Sequence, residues 1–515
     1  MALDYKKLQN GSDIRGIALE GVDGEPVNLG KEEAFRIIRG YLLWLTDRTK
    51  KEPKDIKISI GHDSRISADF LRETLIDTLI HIGVRVIDCG LSSTPAMFMS
   101  TVLEEFDCDG AVMITASHLP FNRNGFKFFT KGGGLEKKDI SDIIAYAQSE
   151  IVIESFRAAH NPDTNPPLKA DLIGAYSEYL KDKIKSEVNS KINFERPLEG
   201  MKIVVDAGNG AGGFFAERIL APLGADVSGS QFLEPDGHFP NHQPNPENKE
   251  AMRAVSEAVL ANNADLGLIF DTDVDRSAAV DKSGREISRN AIVALAAALI
   301  AREHPGTTVV TDSITSDQLT DYLEGCLGLK HLRYMRGYRN VINKSIELNE
   351  QGTDSELAIE TSGHAAYREN YFLDDGAYLA TKIVIKAAQL KAVGETIDCL
   401  IRSLEEPKET IEIRLPIEGA DFSQYADKVL AGLKKWAAER AKNGISIVEP
   451  NFEGVRLNFR INDVAGAGSL EGWCLLRKSL HDPIMPLNIE VSEGKCSVIL
   501  EMIKDFLSGY ERIEI

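Results

Sequence analysis

No two cysteines in this chain are spaced as CxxC. The six present, Cys89, Cys108, Cys326, Cys399, Cys474 and Cys496, are scattered through 515 residues, a chain too long to need a disulfide framework, and a reducing compartment is favoured. Most of them are expected to be core thiols. Long apolar runs are missing as well: the longest, Ala291 to Ala301, is too short to cross a bilayer. The opening stretch MALDYKKLQNGSDIRG has no apolar segment of the signal-peptide kind, which makes the cytoplasm the expected location. Positive charge is in deficit, with 59 Lys+Arg against 79 Asp+Glu and a net charge of −20. That balance repels phosphodiester backbones and anionic lipid, so neither nucleic acid nor membrane is expected as a partner. Any anionic ligand must be held by locally clustered Arg, Lys and His. With 43% hydrophobic and 27% charged residues, the composition is that of a soluble globular protein. At about 150 residues per domain, the length gives three or four domains.

What is present is a plan repeated three times in the first 380 residues. Each unit opens on a β-branched run ending in a polar turn: IKISIGHDSR (56–65), MKIVVDAGNG (201–210) and TTVVTDSITS (307–316). A helical pattern follows, such as DFLRETLIDTLIHIG, where Gly83 is the stop signal. Each unit closes on another apolar run ending in a chemically loaded turn: GAVMITASH (110–118), ADLGLIFDTDVDR (264–276) and SELAIETSGH (355–364). Strands alternating with helices predict α/β domains with mixed, mainly parallel sheets, whose ligands lie outside the carboxyl ends of the strands. Residues from about 408 onward, with an amphipathic helix predicted over 425–442, read as a smaller α+β domain. The expected domains are 1–165, 166–285, 286–406 and 407–515.

The closing turns carry the chemistry. Ser117 stands at a strand end beside His118, and a serine becomes a phosphate carrier only where its surroundings supply charge and a proton route. Arg123, Asn124 and Lys127 follow as anion donors. Asp271, Asp273 and Asp275 have a spacing of two, which on an extended segment puts them on one side. Three crowded carboxylates call for a hard cation such as Mg²⁺, with Arg276 tempering the rest. An EF-hand is disfavoured because Arg276 and Lys282 stand where glycine and glutamate are needed. Glu360, Ser362 and His364 offer donors and acceptors for sugar hydroxyls. Arg477, Lys478, Ser479 and His481 in RKSLHDP offer donors for a phosphate.

Together TASH, DTDVDR, ETSGH and a late RxS turn, in this order, resemble the α-D-phosphohexomutase family of phosphomannomutases, phosphoglucomutases and phosphoglucosamine mutases. SDIRG at Ser12, GHDSRIS (61–67) and EPDGHFPNHQPNPE (234–247) extend the resemblance over essentially the whole chain. The resemblance implies three similar α/β domains and an α+β fourth around a central cleft. It implies interconversion of hexose 1-phosphate and hexose 6-phosphate, of glucose or mannose, through a phosphoserine and a hexose 1,6-bisphosphate that also serves as activator. Ser117 becomes the phosphoserine, completing a Mg²⁺ site with Asp271, Asp273 and Asp275. Arg15 and Arg276 face the phosphoryl group, while Lys127 and His118 assist proton transfer, Lys127 as a base whose pKa neighbouring cations lower. Glu360, Ser362 and His364 hold the sugar; Arg477 and Ser479 grip the other phosphate. The partner is a small phosphosugar, the assembly a monomer or homodimer.

Two departures stand out. Leu119 replaces the usual Asn of the serine loop, and RKSLHDP replaces RPSGTEP, leaving Lys478 and His481 as substitute donors. Four other readings compete. Phosphoglucosamine mutase is a neighbouring branch. LGLIFDTDV is similar to the opening of haloacid-dehalogenase-like phosphatases, with Asp271 as nucleophile. Gly208, Gly210 and Gly213 form a GxGxxG with Asp226 at the distance a dinucleotide fold wants. Finally, the altered phosphate loop would suit a degenerate phosphosugar-binding protein.

Overall fold

Leu71, Leu75, Ile76, Leu79 and Ile82, spaced for one helical face, are buried along the helix Ala68–Ile82, which ends where Gly83 turns left-handed at φ 96°. Such helices cover the sheets of a computed structural model that describes residues 4–149, 166–419, 421–464, 468–479 and 483–514. The chain forms two units, Met1–Leu299 with Ser362–Leu400, and Ile300–Thr361 with Ile401–Ile515.

The first unit holds two sheets that place the loaded turns. In one, the strands run in the order Gln9–Asn10, Asp13–Ile17, Arg123–Thr130, Gly110–Ile114, Lys57–His62, Arg85–Leu91, Leu168–Lys169. Pairing is parallel from Gly110–Ile114 through Arg85–Leu91 and antiparallel towards Asp13–Ile17. The serine loop therefore joins two antiparallel neighbours, and Lys127 lies opposite Met113. In the other sheet, in the order Glu286–Ile287, Ser277–Asp281, Leu266–Phe270, Ile203–Asp206, Phe270 pairs with Ser277. Residues 271–276 thus make a hairpin turn. Gly110–Ile114 and Leu266–Phe270 are buried throughout, as their unbroken apolar character requires. A short hairpin, Ala365–Tyr367 with Leu373–Asp374, leads into the helix Gly376–Lys391.

The second unit contains a parallel array, Lys330–Arg333, Thr308–Thr311, Leu357–Ile359, and a five-stranded antiparallel sheet, Glu409–Pro416, Ile484–Glu493, Gly468–Leu476, Val455–Val464, Ile445–Ile447. Helices Phe422–Glu439 and Cys496–Leu507 cover that sheet with Val429, Leu433, Ile499 and Ile503. The first of these helices stops short of Lys442, because the chain tightens into a 3₁₀ turn at Ala441–Asn443 before left-handed Gly444. Among the described residues no helix is long and apolar enough to cross a membrane. Cys89, Cys108, Cys474 and Cys496 are buried, Cys399 is half-buried, and Cys326 is exposed.

Candidate active site

Ser117 adopts a left-handed φ of 49°, and Arg65 is what holds the loop in that shape. Its fully buried guanidinium donates to four main-chain carbonyls, those of Ser117, Leu119, Pro120 and Arg123. Arg15, on the neighbouring strand, donates to the Thr115 carbonyl and, at 2.9 Å, to Asp13. The Ser117 hydroxyl then faces the aspartate turn. It donates to Asp271 Oδ2 at 2.9 Å, accepts from Arg276 Nη2 at 3.2 Å, and lies 3.2 Å from His118 Nδ1.

The three aspartates converge by a different route from the one their spacing suggested. Residues 271–276 are a tight turn, not an extended segment, and Val274 sits in the left-handed region at φ 66°, a conformation costly for a β-branched residue. Ligand atoms of Asp271, Asp273 and Asp275 come within 4.8 Å of one another. Burial first, then Asp275 and Asp273, pushes the Asp271 carboxyl far above the usual range. Burial also works against charge on Asp275, but Lys127, His364 and Arg276 outweigh it and hold that carboxyl below its ordinary value. Asp273 Oδ1 and Asp275 Oδ1 are buried with no hydrogen-bond partner among the described residues. All-oxygen ligands, excess negative charge and two orphaned acceptors fit a hard divalent cation.

Lys127 Nζ lies 2.6 Å from Asp275, 3.9 Å from Asp13 and 4.0 Å from Asp273. The sequence reading placed cations beside Lys127, whereas the groups at these distances are carboxylates. His118 is held neutral. Burial, reinforced by Arg276 and His364, lowers its pKa to about 2. His364 is the opposite case, since Asp374 at 2.6 Å overcomes the cost of burial and raises its pKa. Gly363, at φ 92°, lets this turn pack on Ser277, where a Cβ would meet the Ser277 carbonyl oxygen at 2.5 Å. Ser362 is buried beside it.

The first unit thus assembles Ser117, His118, Lys127, Arg15, Arg276, the aspartates, Ser362 and His364. Glu360, Arg477, Lys478 and Ser479 belong to the second. There Glu360 Oε1 accepts from Gly337 N at 2.6 Å, and Arg477 lies 3.7 Å from Glu453. Lys478 pairs with Asp427 at 2.7 Å, while Ser479 N donates to the Ile484 carbonyl at 3.1 Å. His481 lies outside the described residues.

Three family descriptions match the chain in order: phosphoglucomutase/phosphomannomutase alpha/beta/alpha domain I over residues 6–152, domain II over 175–284 and domain III over 288–404. A phosphoglucomutase/phosphomannomutase of Thermococcus kodakarensis is 31% identical over 499 residues, 96% of this chain and 97% of that protein. The chain belongs to the phosphoglucomutase/phosphomannomutase family. A Pseudomonas putida phosphomannomutase/phosphoglucomutase is 27% identical, covering 98% and 96%. The same fold occurs in a crystal structure of a phosphoglucomutase/phosphomannomutase family protein from Burkholderia thailandensis, with a TM-score of 0.73 and 24% identity over 97% of this chain and 96% of that one. Membership makes the chain an isomerase of the phosphohexomutase class, acting as an intramolecular phosphotransferase.

The rival readings lose their support. The glycines of the GxGxxG serve a close approach: a Cβ on Gly210 would lie 2.7 Å from the Thr272 carbonyl oxygen, and Ala211 N donates to that oxygen at 2.8 Å. Asp226, the residue a ribose would need, pairs loosely with Lys202 at 3.5 Å. Reading Asp271 as a phosphatase nucleophile is not favoured in a phosphohexomutase. Sequence reasoning quoted Arg65 only as part of a motif and passed over Thr94 and Asp374. Thr94 donates its hydroxyl to Asp273 Oδ2 at 2.5 Å and its amide to the Asp273 carbonyl at 2.8 Å. Its signal, a threonine before Pro95 at a helix start, is one that many ordinary helices share.

Proposed function

We propose that the chain interconverts hexose 1-phosphate and hexose 6-phosphate, of glucose or mannose, through a phosphoserine at Ser117. The observation that carries this reading is the Ser117 hydroxyl 2.9 Å from Asp271 and 3.2 Å from Arg276. Asp271, Asp273 and Asp275, with an oxygen of the Ser117 phosphate, would hold a divalent cation of the Mg²⁺ kind, which when bound supplies positive charge against the phosphoryl oxygens. Arg276 and Arg15 add fixed guanidinium charge on the protein side.

In the first transfer the bond from Ser117 Oγ to phosphorus breaks, and a bond from a hexose hydroxyl to phosphorus forms. Lys127 and His118 assist the transfer of the hydroxyl proton as the new bond to phosphorus forms. The product is a hexose 1,6-bisphosphate. In the second transfer its other phosphoryl group returns to Ser117. Added bisphosphate would activate enzyme that has lost its phosphate by the same reaction. Glu360 and Ser362 with His364 would hold sugar hydroxyls, and Arg477 with Ser479 the phosphate that is not reacting. The domains proposed for these roles are 1–165, 166–285, 286–406 and 407–515.

Incubation with phosphate-labelled glucose 1,6-bisphosphate tests the core of this reading. Expected are label that survives hydroxylamine, no label in S117A, and formation of glucose 6-phosphate from glucose 1-phosphate in a Mg²⁺-dependent coupled assay. Hydroxylamine-labile label retained by S117A would mean an aspartyl phosphate and would reject the mutase.

A further inference from the structure

We propose that Arg336 is a substrate-binding residue, a second guanidinium that grips the hexose phosphate's non-reacting phosphate together with Arg477. The proposal deepens the function above and rests on its reading of Arg477 as a phosphate donor. Arg336 occupies the turn between the strand Lys330–Arg333 and the helix Tyr338–Glu350, at the carboxyl end of a parallel strand, where such sheets bind ligands. Its next residue, Gly337, donates its amide to Glu360 at 2.6 Å, so Arg336 is adjacent in the chain to the group holding the proposed sugar contact.

One carboxylate, Glu453, ties this turn to the phosphate loop, and a second, Asp312, pairs with it. Glu453 Oε2 accepts from the Arg336 amide at 3.2 Å and from the Ser313 hydroxyl, while Glu453 Oε1 lies 3.7 Å from Arg477 Nη1. Asp312 Oδ2 lies 3.9 Å from Arg336 Nε and accepts from the Thr361 hydroxyl at 2.8 Å. The Arg477 ion pair at 3.7 Å is loose, longer than the hydrogen-bonded forks that guanidinium and carboxylate make when they satisfy each other. Arg477 Nε is buried with no hydrogen-bond partner among the described residues. The charge of Arg336 also reaches Arg477, whose pKa is lowered first by burial and, among its neighbours, by Arg336. An anion relieves the repulsion between two like charges, and a phosphate dianion is matched to planar guanidinium forks. The Arg336 side chain is 27% exposed, enough to meet a ligand from solvent.

The test combines kinetics with glucose 1-phosphate and calorimetric titration with glucose 6-phosphate, glucose and inorganic phosphate. A charge-assisted hydrogen bond is worth about 1.5–3 kcal/mol, so R336A is expected to raise KM about tenfold or more. Its kcat should change less than about threefold. Glucose 6-phosphate and inorganic phosphate affinity should fall in parallel, with binding of glucose unchanged. R336K, which keeps the charge but loses the fork, should recover part of the loss, and it carries the test if R336A does not fold. Unchanged KM and affinity in R336A would overturn the proposal. So would equal losses in R336A and R336K accompanied by equal falls in unfolding temperature, the mark of a structural role. If R336A weakens phosphate binding while R477A does not, the shared grip is overturned. Should the wild-type protein show no turnover, the mutase reading fails, and the calorimetric arm still decides on Arg336.

Discussion

Asp273 has two oxygens with different tasks. Thr94 donates to Oδ2 from 2.5 Å, while Oδ1 is buried with no partner among the described residues. T94V should therefore weaken Mg²⁺ binding about tenfold, the worth of one hydrogen bond to a charged group. T94S, which keeps the hydroxyl, should not. Titration calorimetry with Mg²⁺ reads this directly. Glu490 gives a residue-scale pH effect. Burial pushes its carboxyl up to about 7 from 4.5, although Trp473 Nε1 donates to it at 3.0 Å. A folded pKa above the unfolded one stabilises fully below pH 4.5, and that contribution is lost as pH rises through about 7. E490Q cannot ionise, so its stability relative to the parent should grow from pH 5 to pH 8, by at most about 3 kcal/mol. Urea-denaturation midpoints at the two pH values measure it.

At the scale of elements, the aspartate turn depends on a helix that begins far away in sequence. Gly376 N donates to the Val274 carbonyl at 3.1 Å, and a Cβ on Gly376 would lie 2.5 Å from the Arg276 carbonyl carbon. Asp375 caps the same helix through Tyr378 N at 2.8 Å and receives the Tyr176 hydroxyl. G376A should cost about 1–3 kcal/mol through overpacking and depress kcat, because the turn must shift. G325A, which meets nothing within 4 Å, should leave kcat intact and stability within about 1 kcal/mol. Paired thermal melts and coupled assays separate the two. The turn also marks where sequence reading stopped. Alternating aspartates look identical in a strand and in a hairpin turn, and nothing in DTDVD announces a left-handed valine. The Ala68–Ile82 helix was legible because its period and its glycine stop are both local.

For the whole molecule, the threefold plan could be read because each repeat ends an apolar run in a loaded turn. The antiparallel strands Arg123–Thr130 and Ser277–Asp281 were not legible as such, since strand direction is fixed by hairpin closure and leaves no trace in composition. Contacts such as Thr94 with Asp273 join positions 179 residues apart, beyond any local pattern, and so were missed. Cation binding should register globally. Bringing three buried carboxylates together without a cation is unfavourable, and a ligand at a hundred times its Kd stabilises by about 2.7 kcal/mol. Mg²⁺ against EDTA should raise the unfolding temperature in scanning calorimetry, with no rise in a D271N/D273N/D275N variant.

A guanidinium does not lose its proton in a protein, and Arg65 spends its donors on the carbonyls of one loop. The seat of Ser117 consequently keeps its shape across the acidity range in which the chain stays folded. Whatever changes with acidity in this enzyme must originate in the groups around the serine, while the ground it stands on stays still.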